Sequence, residues 1–145
     1  MIPAEALPEG WPQAITIHDI THARAALAAA RETGKPVILL SAPAAAGSVG
    51  VAFFAALVRQ ARGEFPDVAA FAILDCDHAA GRALAALRGS FDGVVYRGGG
   101  ESWERLHDIA EQANVRLLPT RPDSIDLLEC SDAEEAARTW LGHRK

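Results

Sequence analysis

The chain has 145 residues, half of them hydrophobic and 23% charged, with a formal net charge of -5. That length suits a single domain able to bury about two-thirds of its unfolded surface. The acidic balance, with Lys and Arg scattered singly or in pairs, excludes the basic patch that nucleic acid or an anionic membrane requires, and no apolar run reaches the length of a membrane span.

The N-terminus, MIPAEALPEGWPQ, has no basic region followed by an apolar core and does not read as a secretory signal. Residues 1–14, with Pro3, Pro8, Pro12 and Gly10, read as an irregular lead-in that Trp11 could pin to the body. Residues 15–145 read as one α/β domain. Cys76 and Cys130 stand far apart with neither a disulfide framework nor a CxxC pair, so a cytoplasmic location is expected.

From residue 15 the chain alternates regularly. A short β-rich run at 15–17 ends in His18-Asp19. Residues 21–33 (THARAALAAARET) predict a helix, with Asp19 or Thr21 as cap and Gly34 to close it. Val37-Ile38-Leu39-Leu40 is a continuous apolar strand of the kind covered on both faces. A small-residue loop at 41–50 leads to a helix at 51–62, with Phe54, Leu57, Val58 and Ala61 along one face. A strand at 69–74, a helix at 79–88 and a strand at 94–96 follow, then Arg97 and Gly98-Gly99-Gly100. The spacing of Trp103, Leu106, Ile109, Ala110 and Ala113 predicts a helix over 102–113. A strand at 115–118 and a short edge strand at 125–128 precede a last helix, which Ser131 and Glu134 begin as a capping box and which ends near Leu141. Strands separated by helices imply right-handed crossovers and a parallel sheet. The expected fold is a three-layer α/β/α sandwich with a mainly parallel sheet of about five strands, flavodoxin-like or half-barrel-like.

In such a sheet the strands end together, and that end is where ligands and catalytic groups collect. It gathers His18-Asp19, Ser41, Asp75-Cys76-Asp77-His78, Arg97 with its glycines, and Thr120-Arg121. Asp75, Asp77 and His78 are the candidate catalytic residues. Ser41, Cys76, Arg97, Gly98, Gly99 and Arg121 are the candidate ligand-binding ones. Asp19, Ser41 and Asp77 equally fit helix caps, His78 a solvated surface position, and Cys76 a small buried strand-end residue. Gly98-Gly99-Gly100 fits an anion cradle or a flexible turn, with Glu101 placing a negative charge beside it. The adjacent Cys76, Asp77 and His78 point in different directions, so no metal site is expected, and no cofactor.

The segments KPVILLS (35–41), AILDC (72–76) and SFDGVVYRGG (90–99), behind an alanine-rich helix, resemble in their order the N-terminal half-barrel of class II, zinc-dependent fructose-bisphosphate aldolases. That family's pattern runs PVIL..S, LDH and GF.SVM.DGS. The resemblance covers about half of the chain and rests mostly on its βα units. It implies that Asp75 matches the family's proton-transferring aspartate and that Cys76 replaces its zinc-binding histidine. Arg97 stands where the family has an acid. The chain ends before the region that supplies the other zinc ligands, the substrate lysine and the phosphate loops. Response-regulator receiver domains share the length and the alternation, with Asp75 at the phosphoacceptor position. Their acidic pair is reduced here to Asp19 and no lysine follows 115–118, which excludes phosphoryl transfer of that kind.

The sequence thus predicts a non-catalytic domain holding a small anionic ligand or a protein partner at the C-terminal edge of its sheet. The alternative is a small aldolase-like lyase, or another enzyme, with Asp75 as general base. A homodimer is expected from the alanine-rich helical surface and the open sheet edges.

Overall fold

The computed structural model describes residues 10–48 and 50–142, so most of the lead-in, with Pro3 and Pro8, lies outside the described residues. The elements in order are β1 (Ala14–Thr16), α1 (Ile20–Thr33), β2 (Val37–Leu40), the four-residue α2 (Ala45–Ser48), α3 (Val51–Glu64), β3 (Ala70–Asp75), α4 (Ala80–Leu87), β4 (Gly93–Val95), α5 (Gly100–Ala113), β5 (Arg116–Leu118), β6 (Ser124–Asp126) and α6 (Ala133–Gly142). A single 3-10 turn, Leu127–Glu129, joins β6 to α6.

The local signals explain most of these boundaries. Asp19 caps α1 by accepting the His22 N–H at 2.9 Å, and Gly34 ends it in the left-handed conformation, φ 71, where glycine carries no Cβ penalty. β2 is apolar at all four positions and buried at all four. The sheet has six strands rather than about five, and the expected edge strand at 125–128 gives way to a 3-10 turn after Asp126. Two further details differ from the sequence pattern. A short helix forms inside the 41–50 loop, and the cap of α6 is Asp132 rather than Ser131, its Oδ1 accepting the Glu135 N–H at 3.1 Å. The capping signal was out of register by one residue because an aspartate stands next to the serine and fills the same role.

The six strands are all parallel and lie in the order β5-β4-β3-β2-β1-β6. From β1 to β5 the spatial order follows the chain without the reversal that marks a flavodoxin-like sheet. The fold is therefore the half-barrel-like form of the expected α/β architecture. The return from β5 to β6 forces curvature. Strand spacing of about 4.8 Å would put the edges of a flat six-stranded sheet about 24 Å apart. The six residue steps from Leu118 to Ser124 reach at most about 22 Å, and they must also run back along the strands. The sheet has to curl for the chain to make that connection.

The two faces of the sheet bury different partners. Ile15, Leu39, Leu74, Val94 and Leu117 pack with the buried residues of α1, α3, α4, α5 and α6. On the other face Ala14, Ile38, Leu40, Ile73, Val95 and Leu118 form a second cluster, joined by Trp11 and Phe71. None of the described helical residues belongs to this second cluster. Trp11, from the irregular chain before β1, packs against it, and Arg121 of the β5–β6 connection bonds the strand ends beside it. Full burial of each of its leucines and isoleucines contributes about 1.5–3 kcal/mol.

The helix layer is fastened at named points. The alanine-rich face of α1, with Ala23, Ala26 and Ala30 buried, lets α6 approach closely. The Trp140 indole donates to the Ala14 carbonyl at 2.9 Å, which ties α6 to β1. Arg24 grips Glu64 with Nε and Nη2 at 2.7 and 2.8 Å and joins α1 to α3. No described helix is long and apolar enough to cross a membrane.

Candidate functional site

Alternation along the strands decides which side chains meet. Successive residues of a strand point to opposite faces, so Ile73 and Asp75 share the curled inner face while Leu74 and Cys76 look to the helices. The same parity puts Ala14 and Thr16 on the inner face of β1. In β6, the residues aligned with them are Ser124 and Asp126. The inner face thus has an apolar floor and, at the C-terminal ends of the strands, a polar layer.

Asp75 is the centre of that layer. It is fully buried, and both carboxylate oxygens are taken. Oδ1 accepts the Asp77 N–H at 2.8 Å, an aspartate turn closing on the backbone two residues ahead. Oδ2 accepts from Arg121 Nη1 at 2.8 Å. The Asp75 N–H donates to Ser41 Oγ at 2.9 Å, and Ser41 Oγ donates to the Ala42 carbonyl at 3.2 Å. Ser41 therefore joins β2 to β3. Asp77 is held at φ 51, a left-handed conformation that aspartate tolerates better than most residues. It does not cap α4, whose N-cap position is Ala79.

Arg121 spans the mouth of the half-barrel. Besides Asp75, Nη1 donates to the Ser41 carbonyl at 2.9 Å, and Nη2 donates to Thr16 Oγ1 at 3.0 Å. Thr16 Oγ1 in turn lies 2.6 Å from Ser124 Oγ. One guanidinium thus links the ends of β1, β2 and β3 to the start of β6. Its side chain is 17% exposed. Arg97 sits further out, 33% exposed, with Nε 3.2 Å from Asp77 Oδ1 and Nη2 3.8 Å from Asp75 Oδ2. The Arg97 N–H donates to the Asp77 carbonyl at 2.7 Å, fixing its approach.

Ser41, Asp75, Asp77, Arg97 and Arg121 therefore converge, and the other sequence candidates lie apart. His78 is 72% exposed, with Nε2 3.7 Å from Asp77 Oδ1. The Cys76 side chain packs into the helix-side core. Burial, reinforced by the Asp75 charge and only partly opposed by Arg82, pushes its thiol up to about 12, so it carries no thiolate at neutral pH. Gly98 is required by packing, since a Cβ there would run into the Tyr96 hydroxyl and ring. Gly99 occupies the N-cap position of α5, its carbonyl accepting from Ser102 Oγ at 2.9 Å.

Sequence reasoning did not assign roles to Thr16, Ser124 or Asp126. His18 Nε2 lies 2.7 Å from Asp126 Oδ1, a second polar bridge between β1 and β6. Asp126 Oδ1 also accepts the Leu128 N–H at 3.0 Å. The even-numbered alternation Thr16–His18 and Ser124–Asp126 was the available signal. It became meaningful only with the pairing of β6 beside β1.

The sequence model for fructose-bisphosphate aldolase class II matches residues 12–114. This chain belongs to that family. No curated protein matches it. The aldolase match spans β1 to α5 and stops before β5. Asp75 and Arg97 thus come from the aldolase-like part, whereas Arg121, Ser124 and Asp126 come from the segment that follows it.

The zinc implied by the aldolase resemblance does not fit the residues present. Zinc takes three or four convergent N, S or carboxylate donors. Here Cys76 faces the opposite side of the sheet as a neutral thiol, His78 stands outside, and Asp75 already engages the Asp77 N–H and the Arg121 guanidinium. Among the described residues, three potential metal ligands group only at His107, Asp108 and Glu111 on α5, where Asp108 and Glu111 are exposed side chains of one helix.

Proposed function

We propose that this chain is a non-catalytic aldolase-family domain that holds a small anionic ligand at the strand ends, with Arg97 as the contact. The observation that carries this reading is the burial of Asp75 together with the engagement of both its oxygens. A general base needs a lone pair within reach of the proton it removes. Both oxygens of Asp75 already accept donors at 2.8 Å, and the residue is sealed from solvent. Arg97 is placed differently. It is partly exposed, and its Nη2 is beyond hydrogen-bond distance of Asp75, so its guanidinium retains donors for a carboxylate or phosphate oxygen.

Thermal shift with inorganic phosphate and with fructose bisphosphate tests this directly. Phosphate compounds are expected to raise the melting temperature saturably, and Arg97→Ala to abolish the effect. No aldol cleavage is expected, with or without zinc. Zinc-dependent cleavage lost in Asp75→Asn would instead establish the lyase alternative.

A further inference from the structure

We infer that Arg121 is a built-in cation: its guanidinium permanently fills an all-oxygen site at the ends of β1, β2 and β3, in place of any dissociable cation. The acceptors are one carboxylate oxygen (Asp75), one carbonyl (Ser41) and one hydroxyl (Thr16), at 2.8, 2.9 and 3.0 Å. They come from three successive strands, and two nitrogens of one planar group satisfy all of them. A guanidinium suits this role because its donors are fixed in a fork and it is more weakly hydrated than an ammonium or a metal ion. Asp75 is buried and its Oδ2 has Arg121 as its close partner, so a metal entering the site would have to expel Arg121 and leave a desolvated arginine behind.

The origin of the residue supports the same view. Asp75, Ser41 and Thr16 lie within the aldolase-matching stretch, and Arg121 lies outside it. The β5–β6 connection thus delivers the cation to an acceptor set that the family part supplies. This inference stands independently of anion binding at Arg97.

Chemical rescue tests it. Arg121→Ala should lower the melting temperature by roughly 10 °C. Millimolar methylguanidinium should restore most of that loss saturably, whereas urea and sodium chloride at the same concentration should not. The wild type and an Arg97→Ala control should not respond. If Arg121→Ala does not fold unaided, refolding from urea is compared with and without methylguanidinium. Recovery only in its presence supports the built-in cation, and recovery in neither condition overturns it. A folded Arg121→Ala that ignores methylguanidinium also overturns it, as does saturable zinc binding by the wild type that is lost in Asp75→Asn.

Discussion

Arg121 and Asp75 are 46 residues apart in sequence, yet their Nη1 and Oδ2 atoms meet at 2.8 Å at the top of the curled sheet. The contact connects the β5–β6 return to the central strand. It also commits Asp75 Oδ2 to a contact that spans the strand ends.

That pair should be strongly coupled. Asp75→Ala leaves a largely buried guanidinium without its charge partner, and Arg121→Ala leaves a buried carboxylate. Each is expected to destabilise the fold by about 3–5 kcal/mol. The double variant should be less destabilised than the sum of the two, with a coupling of about 1–3 kcal/mol in urea denaturation. Strict additivity would show that the two residues act separately.

The hydroxyl bridge between β1 and β6 is open to a milder change. Thr16→Val keeps the shape and removes the oxygen that meets both Arg121 and Ser124. A loss of about 1–3 kcal/mol is expected, larger than for Ser124→Ala, because among the described residues the Ser124 hydroxyl bonds Thr16 alone.

Cys76 should make the protein sensitive to alkali. Its folded pKa is raised from 9 to about 12 by burial, so the unfolded chain loses the thiol proton first. The resulting stability is full below pH 9 and declines as pH rises from 9 towards 12. Cys76→Ala should flatten that decline, and the native thiol should resist thiol-reactive dyes at pH 8. Rapid labelling of Cys76 in the folded protein would contradict its placement.

Acid should act on a different contact. Arg24 lowers the Glu64 pKa from 4.5 to about 2, chiefly through its hydrogen bonds. A depressed carboxylate pKa stabilises the fold above pH 4.5, and that contribution fades as pH falls through 2. Glu64→Gln should reduce the slope of stability against pH in that window. Because the pair is exposed, the effect should also shrink with added salt.

Gly98 offers a test of packing against ligand contact. Gly98→Ala pushes a methyl into Tyr96 and should destabilise by about 1–3 kcal/mol. Phosphate binding through Arg97 should persist in the molecules that remain folded.

Much of the architecture was legible because it rests on local signals. Asp19 and Gly34 bracket α1, the apolar run Val37–Leu40 marks a strand buried on both faces, and the βα alternation implies parallel pairing. The aldolase family was legible in KPVILLS and AILDC. Asp75, Arg97 and Arg121 were all recognisable as strand-end residues. What the sequence could not reveal was which cation meets which acid, since that depends on the curl of the sheet and on β6 lying beside β1. Ser41 and Asp77 have the residue types of caps, and only the geometry shows them joined to Asp75. Thr16, Ser124 and Asp126 passed as ordinary strand residues because their partners are more than a hundred positions away.

The position of β6 also bears on how the chain reaches this structure. Strands β1 to β5 each pair with a neighbour in sequence, which closes short loops and favours early formation. The β1–β6 pairing joins residues 110 apart and the bonds Thr16–Ser124 and His18–Asp126 join residues 108 apart, so forming them requires closing a far larger loop. β6 and α6 are therefore expected to close last, as a latch that returns the end of the chain to its first strand. Trp140, bonded to Ala14, should report that final step in refolding fluorescence, and Trp103 on α5 the earlier assembly.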